Sequence, residues 1–380
     1  MSRASSSIGG PWRAQVARER PPAPASGPMH LLGDALTQPG LLHRLDLRGW
    51  ELLVSQARNA ELLGQLHRVL ARRGLLELAP PQARRHLDIA ERIAQRHREA
   101  IHHELHNLQE ALQPLGIPVI LLKGAAYAAQ GLEAGIGRVC NDIDILVPRG
   151  MLPAVERDLR HAGWLSTHTT PYDERYYRNW SHEIPPLGHK HRATTLDVHH
   201  ALVPPTTGIR PDLELLFDAS RPLGSPWPAL RTLSPADMVM HSATHLFFGE
   251  FNKGLRDLYD IHCLVTEFNR NDDFLPWLLE RSAAMGLLLP VRDALRHAER
   301  VFGTHLPQPT RQQVHAPFMG PWPQRWRDAL FERVLQAPHP SLDSRGHRLA
   351  ATAAFVRSHW LRMPLPLLIY HLGHKLFTPR

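Results

Sequence analysis

Two short apolar runs, set close together between long helix-patterned stretches, constrain this 380-residue chain more than any other feature. From about Leu31 to Leu115 apolar residues recur every three to four positions: Leu52, Ala57, Leu62, Leu63, Leu66 and Leu70. After a break at Pro80-Pro81, Ile89, Ile93, Ile101, Leu105, Leu108 and Leu112 fall on one face of a helix over about 81–113. At Gly116 that regime stops. Residues 117–122, Ile-Pro-Val-Ile-Leu-Leu, are continuous and apolar, as in a buried strand, and Lys123-Gly124 closes them before a helix over 125–130.

A Gly-rich loop at 131–137 leads to a second strand at 142–147 and a helix over 149–162. Further strands are expected near 165–169, 183–187 and 194–200. Beyond Pro204-Pro205 the pattern is helical to the end, with helices over 211–219, 235–248, 253–269, 273–285, 289–302, 322–335 and 349–361. The fold class is therefore α+β. A small mixed-sheet core at 117–203 is flanked by N-terminal helices at 29–116 and a C-terminal helical domain at 204–380. Residues 1–28, rich in Pro, Ser, Gly and Ala, read as a disordered tail.

No apolar run approaches the ~20 residues that cross a bilayer, and the N-terminus has no signal-like apolar stretch. The segment 355–377 is amphipathic but interrupted by Pro364 and Pro366, so membrane association is not favoured. Only two cysteines, Cys140 and Cys263, occur, which argues against a disulfide framework and for a cytoplasmic location. The net charge of +8 sits in the tail and diffusely in the C-terminal half, so a nucleic-acid partner is not favoured. Among 44 basic side chains only Lys123, Lys190, Lys253 and Lys375 are lysine. Where lysine persists in a chain that otherwise uses arginine, a compact ammonium is expected to matter.

The chemistry centres on Asn141-Asp142-Ile143-Asp144-Ile145-Leu146-Val147. Acids one residue apart on a strand face the same way, while Ile143 and Ile145 face a core. Adjacent carboxylates repel unless a cation lies between them, and an oxygen-only ligand set favours Mg²⁺ or Mn²⁺ over Zn²⁺. Asp197, inside the apolar segment 195–199, is the third acid. If its strand neighbours the first, Asp142, Asp144 and Asp197 converge with room for two ions. The Lys123-Gly124 turn, opening a helix, offers backbone N–H groups and a point charge to phosphate, and Arg138 is a second candidate. Arg256 and Asp260 lie four apart on a helical face, as an intrahelical salt bridge or as part of a cleft. His199 shares the face of Asp197 and His200 does not. His241 and His245 have zinc-compatible spacing but no visible third ligand, which favours structural or cleft-lining roles.

The runs LLKGAAYAAQGLEAGIGRVCNDIDILVPR, LDVHHAL and LRDLYDI resemble the uncharacterised bacterial nucleotidyltransferase family, within the DNA polymerase β-like nucleotidyltransferase superfamily. The resemblance covers about Ile117–Leu202 and part of the following helices. It implies a magnesium-dependent transferase that moves a nucleoside monophosphate from an NTP to an acceptor, protein or small molecule, with release of pyrophosphate. By that resemblance Asp142, Asp144 and Asp197 are catalytic and hold two Mg²⁺ (or Mn²⁺) ions. Lys123, Gly124, Arg138, Asn141 and Arg256 bind the nucleotide, and His199, His241 and Asp260 line the cleft. The wider superfamily starts its first helix with Gly-Ser or Gly-Gly, and Lys123-Gly124 stands there instead. The competing readings are a non-catalytic nucleotide- or partner-binding protein and a toxin-like tRNA nucleotidyltransferase.

Overall fold

The computed structural model describes residues 31–363 apart from 168–169, 271–272, 318–322 and 343–344. The N-terminal tail and the prolines at 364 and 366 lie outside the described residues. Four helices come first: α1 (Leu31–Thr37), α2 (Leu47–Asn59), α3 (Leu63–Arg72) and α4 (Pro81–Leu112). Asp46 caps α2 by accepting the Gly49 N–H, and Pro81 opens α4 where no helical donor is needed.

The long helix corrects one expectation. Its buried stripe is Leu87, Ala94, Ile101, Leu105, Leu108 and Leu112, whereas Ile89 and Ile93 remain 43% and 45% exposed. In its first half the core face repeats every seven residues and passes through a small alanine, so the two bulkier isoleucines mimic a face they do not form.

The central sheet is built from β1 (Val119–Leu122), β2 (Asp142–Leu146), β3 (Trp164–Ser166), β4 (Leu187–His189), β5 (Thr195–His199), β6 (Arg221–Pro222) and β7 (Leu230–Thr232). Its helices are α5 (Lys123–Gln130), α6 (Leu152–His161), α7 (Pro171–Trp180) and α8 (Leu213–Ala219). The strand order is β3-β4-β5-β2-β1-β7-β6. β2 runs antiparallel to β1 and parallel to β5, so the sheet is mixed and the fold is α+β. β6 and β7 fall where only helix was expected. They span two and three residues, too short for a period-two pattern, and β7 owes its place to parallel pairing with β1, more than 100 residues earlier.

The remaining helices are α9 (Pro235–Phe248), α10 (Gly254–Phe268), α11 (Phe274–Ala284), α12 (Leu288–Phe302), α13 (Gln308–His315), α14 (Gln324–Val334) and α15 (Arg345–Arg362). α9 is buried almost all round because α10, α11 and α12 pack against it. Its Ser242 Oγ lies 2.6 Å from Tyr127 Oη, which ties it to α5 and fixes the gap between sheet and helices. Among the described residues no helix is long and apolar enough to cross a membrane.

Candidate active site

The site starts from a turn. β1 ends at Leu122, and Lys123 opens α5 with φ +45°, in the left-handed region that a lysine rarely occupies. In the β1–β2 register Leu122 is opposite Asp144, so the turn sets the lysine beside that acid. Lys123 Nζ donates to Asp144 Oδ1 at 2.7 Å, and His199 Nε2 lies 3.0 Å from the same oxygen. Burial alone would raise the Asp144 carboxyl. The Lys123 ammonium and the His199 hydrogen bond outweigh it and hold the carboxyl well below the usual range. Burial would likewise lower the Lys123 ammonium, but Asp144 raises it.

Asp197 stands directly beside Asp144, paired in register on the parallel strand β5, and so on the same face. Its Oδ1 is buried with no hydrogen-bond partner among the described residues. Burial, and then the negative charge of Asp144, push its carboxyl up to about 7. Asp142 completes the face from the exposed start of β2, with no ion pair or hydrogen bond among the described residues. One orphaned oxygen, one free carboxylate and a like-charge pair relieved by a cation are the donor set a hard divalent ion takes. In chemistry the three acids suit such an ion; Asp142 and Asp144 line the adjoining cavity, whereas Asp197 lies off its wall.

A cavity of about 370 Å³ opens between this face and the helices α9 and α10. Lys123, Gly124, Asn141, Asp142 and Asp144 form one wall, and His245, Lys253 and Arg256 belong to the other. Arg138 and Asp260 also line it. Arg138 is spent on neighbours: Nε donates to Asp260 Oδ2 and Nη1 to Cys140 Sγ, both at 2.9 Å. Burial pushes the Asp260 carboxyl up to about 6 against the pull of Arg138. Gly124 makes this packing feasible, since a Cβ there would come within 3.0 Å of Arg138 Nη1 and Cys140 Sγ.

The intrahelical pair Arg256–Asp260 does not form. Arg256 instead donates to Glu61 Oε2 at 2.5 Å and to Asp257 Oδ1 at 2.8 Å, and Lys253 reaches Glu61 Oε1 at 2.9 Å. Asp260 is held by Arg138, and Arg256 turns instead to a carboxylate 195 residues away that Lys253 shares. His199 and His241 lie off the cavity wall, both nearly fully buried, with their rings 6.5 Å apart. His245, one turn beyond His241, opens onto the cavity. The charge of Lys123 keeps its imidazole well below its ordinary range.

Sequence reasoning passed over Glu61, His182 and Glu183; it set His245 beside His241 in a structural or cleft-lining role, and His245 does line the cavity, while Lys253 was noted as a lysine without a stated role. One signal was on hand for Lys253: it is one of the four lysines, and with Lys123 it makes two that face this cavity.

A family model described as "Uncharacterised nucleotidyltransferase" matches residues 46–303. The chain belongs to the uncharacterised nucleotidyltransferase family. The match in this nucleotidyltransferase family member begins at the cap of α2 and ends just past α12, so it takes in both walls of the cavity. No curated protein and no solved structure matches the chain. Nucleotidyltransferases generally use divalent metal ions, in keeping with the acids gathered on the β2–β5 face.

Proposed function

We propose that this protein transfers a nucleoside monophosphate from an NTP to a hydroxyl of a protein or small-molecule acceptor, with Mg²⁺ or Mn²⁺ as cofactor. The observation that carries the reading is the in-register pairing of Asp144 with Asp197, with Asp142 at the mouth of the cavity that Lys123 also faces.

In the reaction the acceptor oxygen attacks the α-phosphorus, the bond from that phosphorus to the β-phosphate bridge breaks, and pyrophosphate leaves. Asp142, Asp144 and Asp197 would hold the two ions, which when bound neutralise phosphate charge and lower the pKa of the attacking hydroxyl. Asp197, paired in register beside Asp144, would take up the hydroxyl proton. Lys123 supplies positive charge to the triphosphate, and the helix it opens directs backbone N–H groups at the same place. Asn141, exposed on the cavity wall, orients the nucleotide, while Arg256 and Lys253 meet the outer phosphates from α10. Arg138, pinned by Asp260, acts as a fixed positive wall beside Gly124. His199 holds the Asp144 carboxylate in place and His241 packs behind it.

The decisive experiment incubates the full-length protein with each α-labelled NTP, Mg²⁺ and a cell lysate, then asks which fraction acquires label. Label in a protein or small-molecule fraction that disappears in Asp142→Ala is the expected result. NTP binding with no transfer across the lysate would overturn the enzymatic reading in favour of a binding protein, and label confined to tRNA would redirect the acceptor class.

A further inference from the structure

Off the cavity wall, the segment between α7 and β4 brings two side chains against β5. Glu183 forms a single antiparallel bridge with His199, which sets both side chains on one face. Glu183 Oε2 lies 3.4 Å from His199 Nε2, and the rings of His182 and His199 are 5.1 Å apart. One ligand atom from each of the three residues falls within 4.8 Å of the other two. The position is built into the backbone, since the carbonyl of His182 accepts the N–H groups of His200 and Ala201.

Two polar atoms here have nothing to bind. Nδ1 of His182 and Nδ1 of His199 are both buried and without hydrogen-bond partners among the described residues. An unsatisfied buried ring nitrogen is costly, and two of them beside a carboxylate ask for an explanation. His199 carries a further signature. Its Nε2 faces the Asp144 carboxylate, with Glu183 beside it, and its Nδ1 is free, so an ion on Nδ1 leaves Nε2–H to Asp144, the arrangement metal-ligating histidines adopt when a carboxylate orients the ring.

We propose that His182, Glu183 and His199 bind one divalent ion of the Zn²⁺ class, at a site distinct from the Asp142–Asp144–Asp197 set. Two imidazoles and one carboxylate are a borderline-soft ligand set that suits Zn²⁺ or Co²⁺ and that Mg²⁺ avoids. Three protein ligands leave a fourth position for water or substrate. Through the His199–Asp144 contact the occupant of this site tunes an acid of the neighbouring set.

Titrating the full-length, metal-stripped protein with Co²⁺ and following the visible absorption of nitrogen-ligated cobalt tests this assignment independently of nucleotidyl transfer. One Co²⁺ per chain, retained in excess Mg²⁺, is expected. Affinity drops about tenfold or more in His182→Gln and in Glu183→Gln, and stays unchanged in Asp142→Ala, the variant that loses transfer under the reading above. Glu183→Gln keeps shape and volume, so it decides the matter if His182→Gln does not fold. The assignment is overturned by an absence of stoichiometric cobalt, by cobalt that Mg²⁺ displaces, or by binding lost in Asp142→Ala and kept in Glu183→Gln.

Discussion

Asp142 and Asp144 are two residues apart and energetically unlike. Asp144 is buried under an ammonium and an imidazole, so Asp144→Ala strands the Lys123 charge in a site built for a pair. Breaking a buried pair from one side costs about 3–5 kcal/mol. Asp142→Ala removes no bond from the described structure, and its stability should stay within about 0.5 kcal/mol of the parent. Urea melts of the two variants should therefore separate widely, and transfer assays are cleaner with Asp142→Ala. At this scale the shared face of Asp142 and Asp144 was legible because strand alternation is strict, whereas the place of Asp197 beside them depended on a strand pairing that alternation does not give. Glu183 was not legible, since it reaches β5 through a lone bridge that leaves no periodic trace. Nor was the partner of Arg256, because ion pairing across 195 residues has no local signature.

α3 lies backbone to backbone against the loop ahead of β2. A Cβ on Gly64 would run into the carbonyl of Gly137, and a Cβ on Gly137, at φ +75°, would meet the backbone of Gly64. Replacing a helical glycine by alanine ordinarily stabilises, by up to ~1 kcal/mol. Gly64→Ala should do the opposite, losing about 1–3 kcal/mol as two backbones are forced apart, and a lowered Tm checks it. The Gly-rich loop at 131–137 was visible in the sequence, but what it lies against was not. Most helices were readable from their apolar spacing, with ends off by one to four residues where 3₁₀ turns or weak caps intervene. Two helices were missed: α7, at Pro171–Trp180, and α13, at Gln308–His315, which has only two buried residues to mark it, Thr310 and Val314.

Across the molecule, segments distant in sequence meet at the cavity: the Lys123 turn and β2 from the sheet, and Lys253, Arg256 and Asp260 at and beyond the start of α10. Glu61, from the turn after α2, holds Lys253 and Arg256 without lining the cavity itself. The order of helices, sheet and helices could be read from patterning, whereas the joints between them are long-range side-chain contacts and could not. A chain held this way also depends on neutral buried histidines. His262 on α10 and His297 on α12 are lowered to about 4 and about 3, in both cases chiefly by burial. Their folded values lie below the ordinary 6.5, so the unfolded chain takes up these protons first. The stability they protect is complete above pH 6.5 and drains away as pH falls toward 4 and 3. Between pH 6.5 and 5.5 the two together should remove about 2 kcal/mol. Thermal melts over that interval should fall steeply, and the slope should flatten in the double variant His262→Gln/His297→Gln.

The ammonium resting on Asp144 has one more consequence. With a resident counter-ion already seated, loading the site is an exchange: Lys123 must let go of that carboxylate before the three acids can act together. An incoming triphosphate gives the released lysine somewhere to go. Nucleotide and divalent ion should therefore help each other in, each binding more weakly alone than in the other's company, so that the resting protein keeps Asp144 masked until substrate arrives.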